Sequence, residues 1–301
     1  MTAAGTVTHD LHRVAVGVAE DPAGPTGTTV LEIHGGGRTA VDRRGGAIGV
    51  SGGFPFSHAV VLTGGSSFGF AAGAGVADEM LRRSGDDTGF ASLPAVNTAV
   101  IYDFDLRDNA VYPTAELGRA TLQAVRPGVV PVGRVGAGVS AAVGKIGGGR
   151  CEPGGQGAAF GRFGGVGILV VTVVNAVGVV VDRSGTVVRG NVDPATGQRR
   201  HPAAALAADL TGTAVGVGNT TITALVTDVR LGDRDLAQLA RQVHSSMHRA
   251  IQPFHTASDG DVLFAVTTDE VDAPTTAGSI STALGTVASE LAWDAVLAAV
   301  S

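Results

Sequence analysis

The 301-residue chain has one cysteine, one tryptophan and one lysine, and aromatic side chains make up only 4% of it. With Cys151 alone no intrachain disulfide can form, which excludes the disulfide-stapled secreted class. Charged residues are 16% of the chain against 44% hydrophobic ones, so the composition of a disordered chain is absent too. There is no excess of positive charge: 21 basic and 27 acidic side chains give a formal charge of −6. Duplex nucleic acid and anionic membranes are held by clustered cations, so neither is expected as a partner. The longest apolar stretch, 167–181, falls short of the ~20 residues that span a bilayer and contains Asn175. The first residues, MTAAGTVTHDLHRV, show no basic-then-apolar signal pattern, and a cytoplasmic location is the expectation.

Glycine is abundant: 46 of 301 residues, about twice the usual share of ~7%. With few aromatics, the core must be built from Val, Ala, Leu and Ile. Short β-branched runs closed by turn residues mark strands at 28–33, 59–62, 99–104, 168–174, 177–182, 221–226 and 262–267. They are apolar without polar alternation, so both faces should be covered, by helices or by a second sheet. Three helices are expected: 67–83, rich in small residues; 113–124, opened by Pro113; and 233–251, capped by Asp233, with Leu236, Leu239, Ala240, Val243, Met247, Ala250 and Ile251 at helical spacing. The zone 189–218 reads as a loop, ending in the small residues TGTAVGVG.

That loop feeds Asn219-Thr220 at the head of a strand, as in an N-terminal-nucleophile hydrolase, where a peptide bond is attacked by its own downstream hydroxyl. The freed α-amine, with a reference pKa near ~8, then serves as base for the hydroxyl. An ordinary turn entering a strand is the plain alternative. Asp259-Gly260-Asp261 sits at the next strand entrance, where two carboxylates buried together would push each other's pKa apart; a solvated turn is its alternative. Lys145, the one lysine beside twenty arginines, lies in VGKIGGG, where it is either a surface charge or a compact cation beside a nucleophile. Asn175 within ILVVTVVNAVGVVV is a satisfied core amide or an oxyanion donor, and Tyr102 closes the strand AVIY as core or site tyrosine. Gly64-Gly65-Ser66-Ser67 could receive an anion at a helix start. His244 and His248 are spaced i, i+4 but lack the glutamate of HExxH, so no metal is assigned to them. Cys151 reads as an inert thiol.

In this order LTGGSSFGF, VGAGVSAAVGKIGGG, VVNAVGVVVDRSG, GNTTITALVTDV and RAIQPFHTASDGDVLFAVTTDE resemble the autoprocessing DmpA-type aminopeptidases, a family of N-terminal-nucleophile-like enzymes, from about residue 27 to the C-terminus. YDFDLRDNAVYP, RSGTVVRGNVDPATGQRRHP, QVHSSMHRAIQPFHT and FAVTTDEVDAPTT are similar to its nylon-oligomer-hydrolysing branch in particular. The resemblance implies one catalytic domain, 1–301, with a four-layer α/β/β/α sandwich, cut between Asn219 and Thr220 into an α chain (1–219) and a β chain (220–301). It implies Thr220 as nucleophile, Asp259 and Asp261 as the acidic pair beside it, Lys145 as active-site lysine, Asn175 as strand asparagine and Tyr102 as site tyrosine. Many aminopeptidase members carry Ser as nucleophile and a Ser/Glu pair where this chain has Asp259 and Asp261. No cofactor or metal is implied; the partners are an oligoamide or peptide substrate and further copies of the chain, as a tetramer of αβ protomers. Cleavage of 6-aminohexanoate oligomers leads the expected activities. An aminopeptidase or amidase of natural peptides, an acyltransferase, and an inert oligomeric scaffold are its alternatives.

Overall fold

The computed structural model describes residues 5–208, 218–273 and 280–301. The small-residue loop expected just before Asn219 lies outside the described residues except for Gly218. A ten-stranded mixed sheet organises the chain. Its order runs Gly155–Phe163, Val166–Asn175, Thr220–Val229, Val262–Val271, Thr26–Arg43, Phe56–Thr63, Val96–Val100, Val50–Ser51, with Val14–Asp21 also paired to Thr26–Arg43. Most neighbours are antiparallel; Thr220–Val229 with Val262–Val271, and Phe56–Thr63 with Val96–Val100, are parallel.

Thr26–Arg43 joins the two halves of the sheet. Residues 26–33 pair with Val14–Asp21, and residues 38–43 pair with Val262–Val271. Between them the strand passes through Gly35 and Gly36, both at positive φ. The side-chain period of two then divides the apolar residues cleanly. Leu263, Ala265 and Leu225 join a core with Leu236, Leu239 and Val243 of the Asp233–Ser246 helix and Ala288, Ala292 and Ala295 of the Ile280–Ala298 helix. Val262, Phe264, Ile222 and Val226 point the other way, into a core shared with Leu31, Val60 and Ile101 of the other half. A third cluster, Val30, Ala59 and Val61, is covered by Val76 and Leu122 from the helices Phe70–Arg83 and Ala115–Gln123. Both faces of the strands are therefore covered, and the core is largely aliphatic, as the composition requires.

Several expected boundaries are corrected. The strand expected at 99–104 is Val96–Val100. Beyond it the chain leaves the ladder so that Asp103 can accept from Thr26 Oγ1 (2.5 Å) and the Gly65 amide (2.9 Å). Pro113 does not open its helix: Thr114 is the N-cap, its hydroxyl accepting from the Leu117 amide. Nor does Asp233 cap; Gly232 holds that position, and the Asp233 carboxylate is taken by Arg38 at 2.7 Å. That helix ends at Ser246 and continues as a 3-10 turn, Met247–Arg249, into the strand Ile251–Gln252. The 189–218 zone contains a helix, Pro202–Ala208, rather than loop alone. Gly155–Phe163 and Ile280–Ala298 are elements with no one-sided apolar pattern, and they account for each other: a Cβ on Gly157 would lie 1.8 Å from the Ala295 carbonyl oxygen, so glycine lets the helix lie directly on the strand. Among the described residues no helix is long and apolar enough to cross a membrane.

Candidate active site

Three strand ends meet at one point. Thr220 begins the Thr220–Val229 strand opposite Asn175, the last residue of Val166–Asn175. On its other side Asn219 forms a parallel bridge with Asp259, just ahead of Val262–Val271. Register alone thus brings together residues 40 and 45 positions apart, Asn219 with Asp259 and Asn175 with Thr220. Thr220 is 5% exposed, and its Oγ1 lies 2.5 Å from the Asn219 carbonyl oxygen. The same oxygen accepts from the Gly260 amide at 2.8 Å. Only glycine fits there: a Cβ on residue 260 would stand 2.8 Å from Thr220 Oγ1 and 2.5 Å from the Ala47 carbonyl oxygen.

The two aspartates flanking Gly260 are buried and differently engaged. Asp259 Oδ2 accepts from the Thr256 hydroxyl (2.6 Å) and amide (2.9 Å), and Oδ1 lies 3.4 Å from the Val177 amide. Asp261 Oδ1 accepts from the Thr221 amide at 2.7 Å, while Oδ2 is held by the backbone amide (3.0 Å) and Nδ1 (2.9 Å) of His255. Burial, reinforced by the neighbouring Asp259 charge, pushes the Asp261 carboxyl up to about 8.

Asn175 is bonded on every side. Its Oδ1 accepts from the Ala142 amide (2.9 Å) and Lys145 Nζ (3.0 Å); its Nδ2 donates to the carbonyls of Tyr102 (2.8 Å) and Gly218 (3.2 Å). Lys145 reaches it from the glycine-rich segment with only 6% of its side chain exposed, and also pairs with Asp105 at 3.1 Å. Burial lowers the Lys145 pKa; Asp105 first, then Cys151 and Asp259, oppose that. Tyr102 touches the site through its carbonyl and its ring. The ring fills the space that a Cβ on Gly218 would need, and Gly218 sits at φ +78°.

The structure therefore brings Tyr102, Lys145, Asn175, Asn219, Thr220, Asp259 and Asp261 to one place. Sequence reading missed Asp105, His255, Thr256 and the Gly260 amide. PFHTASDGD held three of these within a few residues of the aspartates, and YDFDLRD held Asp105, but single residues in loops carry no periodic signal. The other candidates go elsewhere. The Gly64–Ser67 turn has its Gly65 amide on Asp103, so a protein carboxylate already occupies the expected anion position. His244 turns Nδ1 onto Asp42 Oδ2 at 2.8 Å, and no group of three or more His, Cys, Asp or Glu is arranged to hold a metal among the described residues. Cys151 is a half-buried free thiol.

Residues 8–301 match the model of peptidase family S58. The chain is 56% identical over 300 residues to the 6-aminohexanoate-oligomer endohydrolase of Paenarthrobacter ureafaciens, covering 96% of this chain and 84% of that protein. It is 55% identical over 305 residues to the protein of the same name from Kocuria sp. (strain KY2), covering 98% and 86%. An uncharacterized aminopeptidase of Mycobacterium tuberculosis (strain ATCC 25618 / H37Rv) is 34% identical over 313 residues, covering 91% and 85%. Among solved structures, the Burkholderia sp. beta-aminopeptidase superposes with a TM-score of 0.70 at 18% identity over 95% of this chain and 83% of its own. The L-aminopeptidase D-Ala-esterase/amidase of Ochrobactrum anthropi, described as a variant of the Ntn-hydrolase fold, gives 0.69 at 21% over 98% and 86%. At those identities the likeness establishes a shared fold.

Proposed function

We propose, from the premise that the chain belongs to peptidase family S58, that it is an autoprocessing amidohydrolase with Thr220 as nucleophile, cleaving internal amide bonds of 6-aminohexanoate oligomers and polyamides. The observation that carries this reading is the geometry of the 219–220 peptide: the hydroxyl that would attack it and the amide that would polarise it both lie on its carbonyl oxygen. The identity to two endohydrolases supports the substrate class.

Processing follows from that geometry. Thr220 Oγ1 attacks the Asn219 carbonyl carbon while the Gly260 N–H stabilises the oxygen as it becomes negative. The Oγ1 proton passes to the leaving nitrogen as the C–N bond breaks, leaving Asn219 as an ester on Oγ1 and Thr220 with a free α-amine. Water hydrolyses the ester, so 1–219 and 220–301 become the α and β chains of one catalytic unit. In turnover the α-amine takes the Oγ1 proton as the oxygen attacks a substrate amide, the leaving amine is reprotonated, and water releases the acyl group. Asn175 would supply the oxyanion donor, because departure of residues 218 and 219 frees the Nδ2 hydrogen now given to the Gly218 carbonyl. Lys145 and Tyr102 assist from either side of it, and Asp259 and Asp261 orient the amine and hydroxyl.

We read the three cores as those of a four-layer α/β/β/α sandwich, and the exposed Phe68, Phe90, Leu106 and Tyr112 as surfaces used in a homotetramer of αβ protomers. The single cysteine, left as a free thiol, accords with a reducing compartment, and we place the protein in the cytoplasm. Mass spectrometry of purified wild-type and Thr220→Ala chains tests the reading together with oligomer hydrolysis. The wild type should yield two polypeptides split at 219/220 and release oligomer fragments. Thr220→Ala should stay at 29.9 kDa and release nothing; a Thr220→Ala chain that splits or hydrolyses would sink it. A second reading, an aminopeptidase for short natural peptides, is favoured by the relatives named as aminopeptidases, and requires that activity depend on a free substrate α-amine.

A further inference from the structure

Behind Asp261 lies a group of ionisable side chains, centred on buried His244, that the mechanism above does not use. His255 Nδ1 is 2.9 Å from Asp261 Oδ2, and its side chain is 9% exposed. Its ring is T-stacked on His244 with centroids 4.3 Å apart, and packs on His248 at 4.9 Å. Fully buried His244 is in turn fixed by Asp42, whose Oδ2 also accepts from Arg44 Nε at 2.7 Å. Asp42 faces a cavity of about 590 Å³ between the Thr26–Arg43 strand and the Asp233–Ser246 helix. A continuous run of polar groups, Arg44, Asp42, His244, His255, Asp261, thus passes from a cavity wall to the Thr221 amide next to the nucleophile. Among the described residues the Nε2 of His244 is buried without a hydrogen-bond partner. A buried ring nitrogen left unsatisfied costs stability that an apolar side chain in its place would not.

We infer that His255 is a positioning residue for catalysis, holding Asp261 by its Oδ2 so that Oδ1 stays on the Thr221 amide at the nucleophile's neighbour, with His244 and Asp42 bracing the ring from behind. An imidazole suits that position because Nδ1 can accept from a carboxylic acid or donate to a carboxylate. It can therefore keep the bond through both protonation states of Asp261. Before cleavage burial first, and then the Asp259 charge, favour the acid form of Asp261. After cleavage the Thr220 ammonium appears beside it and favours the anion. The charged and titratable groups facing this pair are Asp259, His244, His248, Asp42 and Arg44. Burial, then the charges of His248 and Arg44, holds the His255 imidazole down at about 4. The ring thus stays neutral at pH 7 and free to take either role.

The inference rests on the amidohydrolase reading, and two readouts separate them. Kinetics of the processed enzyme on linear 6-aminohexanoate oligomers compare His255→Phe, His255→Asn and His255→Gln. His255→Phe should lower kcat at least about tenfold, the worth of one hydrogen bond to a charged group, with KM nearly unchanged. It should also move the acid limb of kcat/KM to higher pH, since the carboxylate loses a donor. The Asn amide reaches where Nδ1 does and should restore most of the rate, whereas Gln should not; equal rates and superimposable pH profiles for all three would overturn the inference. Ring-nitrogen NMR of unprocessed Thr220→Ala protein needs no substrate. There Asp261→Asn should change the His255 Nδ1 signal and its titration, and an unchanged signal would overturn the inference even if the wild type hydrolyses no oligomer, a result that would defeat only the substrate reading.

Discussion

The backbone amide of Gly260 donates to the carbonyl oxygen of Asn219 at 2.8 Å, which binds the turn between the two aspartates to the peptide on the N-terminal side of Thr220. Gly260→Ala should therefore be read out in processing. Its Cβ would press on Thr220 Oγ1 at 2.8 Å and on the backbone at Ala47 at 2.5 Å, so the 259–261 turn must shift away from the carbonyl it polarises. Losing such a donor costs about 10²–10³ in rate. The purified variant should remain mostly uncut, and conversion followed on a denaturing gel should be slower by about that factor.

Asn175→Ala tests a residue with four partners. It strands the buried Ala142 amide and the half-buried carbonyls of Tyr102 and Gly218, and stability should fall by about 1–3 kcal/mol. Processed enzyme should also lose about 10²–10³ in kcat with little change in KM, because the interaction is made in the transition state. Urea unfolding of the uncut form and steady-state kinetics of the cut form measure the two losses separately.

Much of this site could be seen before the fold. The strand starting near Thr220 and the acidic pair before Val262 each mark a strand entrance, and period-two apolar patterning is a local property. Lys145 stood out because every other cation is Arg. His255 and Asp105 did not, since their meaning depends on register: Asp105 matters only because the chain leaves the sheet after Val100, and His255 only because its backbone turns to present both N–H and Nδ1 to Asp261. The Gly155–Phe163 strand was hidden for a similar reason, as its glycines record the approach of a helix more than 100 residues away.

Asp261 should leave a signature in stability against pH. Its carboxyl titrates at about 8 in the folded precursor and near ~3.9 when unfolded, so the native state binds more protons between those values. The associated stability is full below pH ~4 and declines as pH rises toward 8, by at most about 1.4 kcal/mol per pH unit. Asp261→Asn, made in the uncut Thr220→Ala background so that one chain unfolds, should remove that slope. Parallel urea titrations from pH 4.5 to 8 on the order of half a unit apart would show it, and identical slopes for the two proteins would refute the assignment.

Lys145 separates charge from shape. Lys145→Arg keeps the cation but replaces a compact ammonium, held at 3.0 Å from Asn175 and 3.1 Å from Asp105, with a larger planar fork where the lysine side chain is only 6% exposed. It should lower kcat about as much as Lys145→Met. Asp105→Asn leaves the lysine in place and changes only its environment. Burial already lowers the Lys145 pKa, and Asp105 is the first group opposing that, so removing its charge must lower the pKa further. If the ammonium is the form that supports the oxyanion, the alkaline limb of kcat moves to lower pH in Asp105→Asn while the rate on the acid side of that limb is largely kept. A limb that stays fixed, with Lys145→Arg fully active, would mean that Lys145 serves only to pack and orient Asn175.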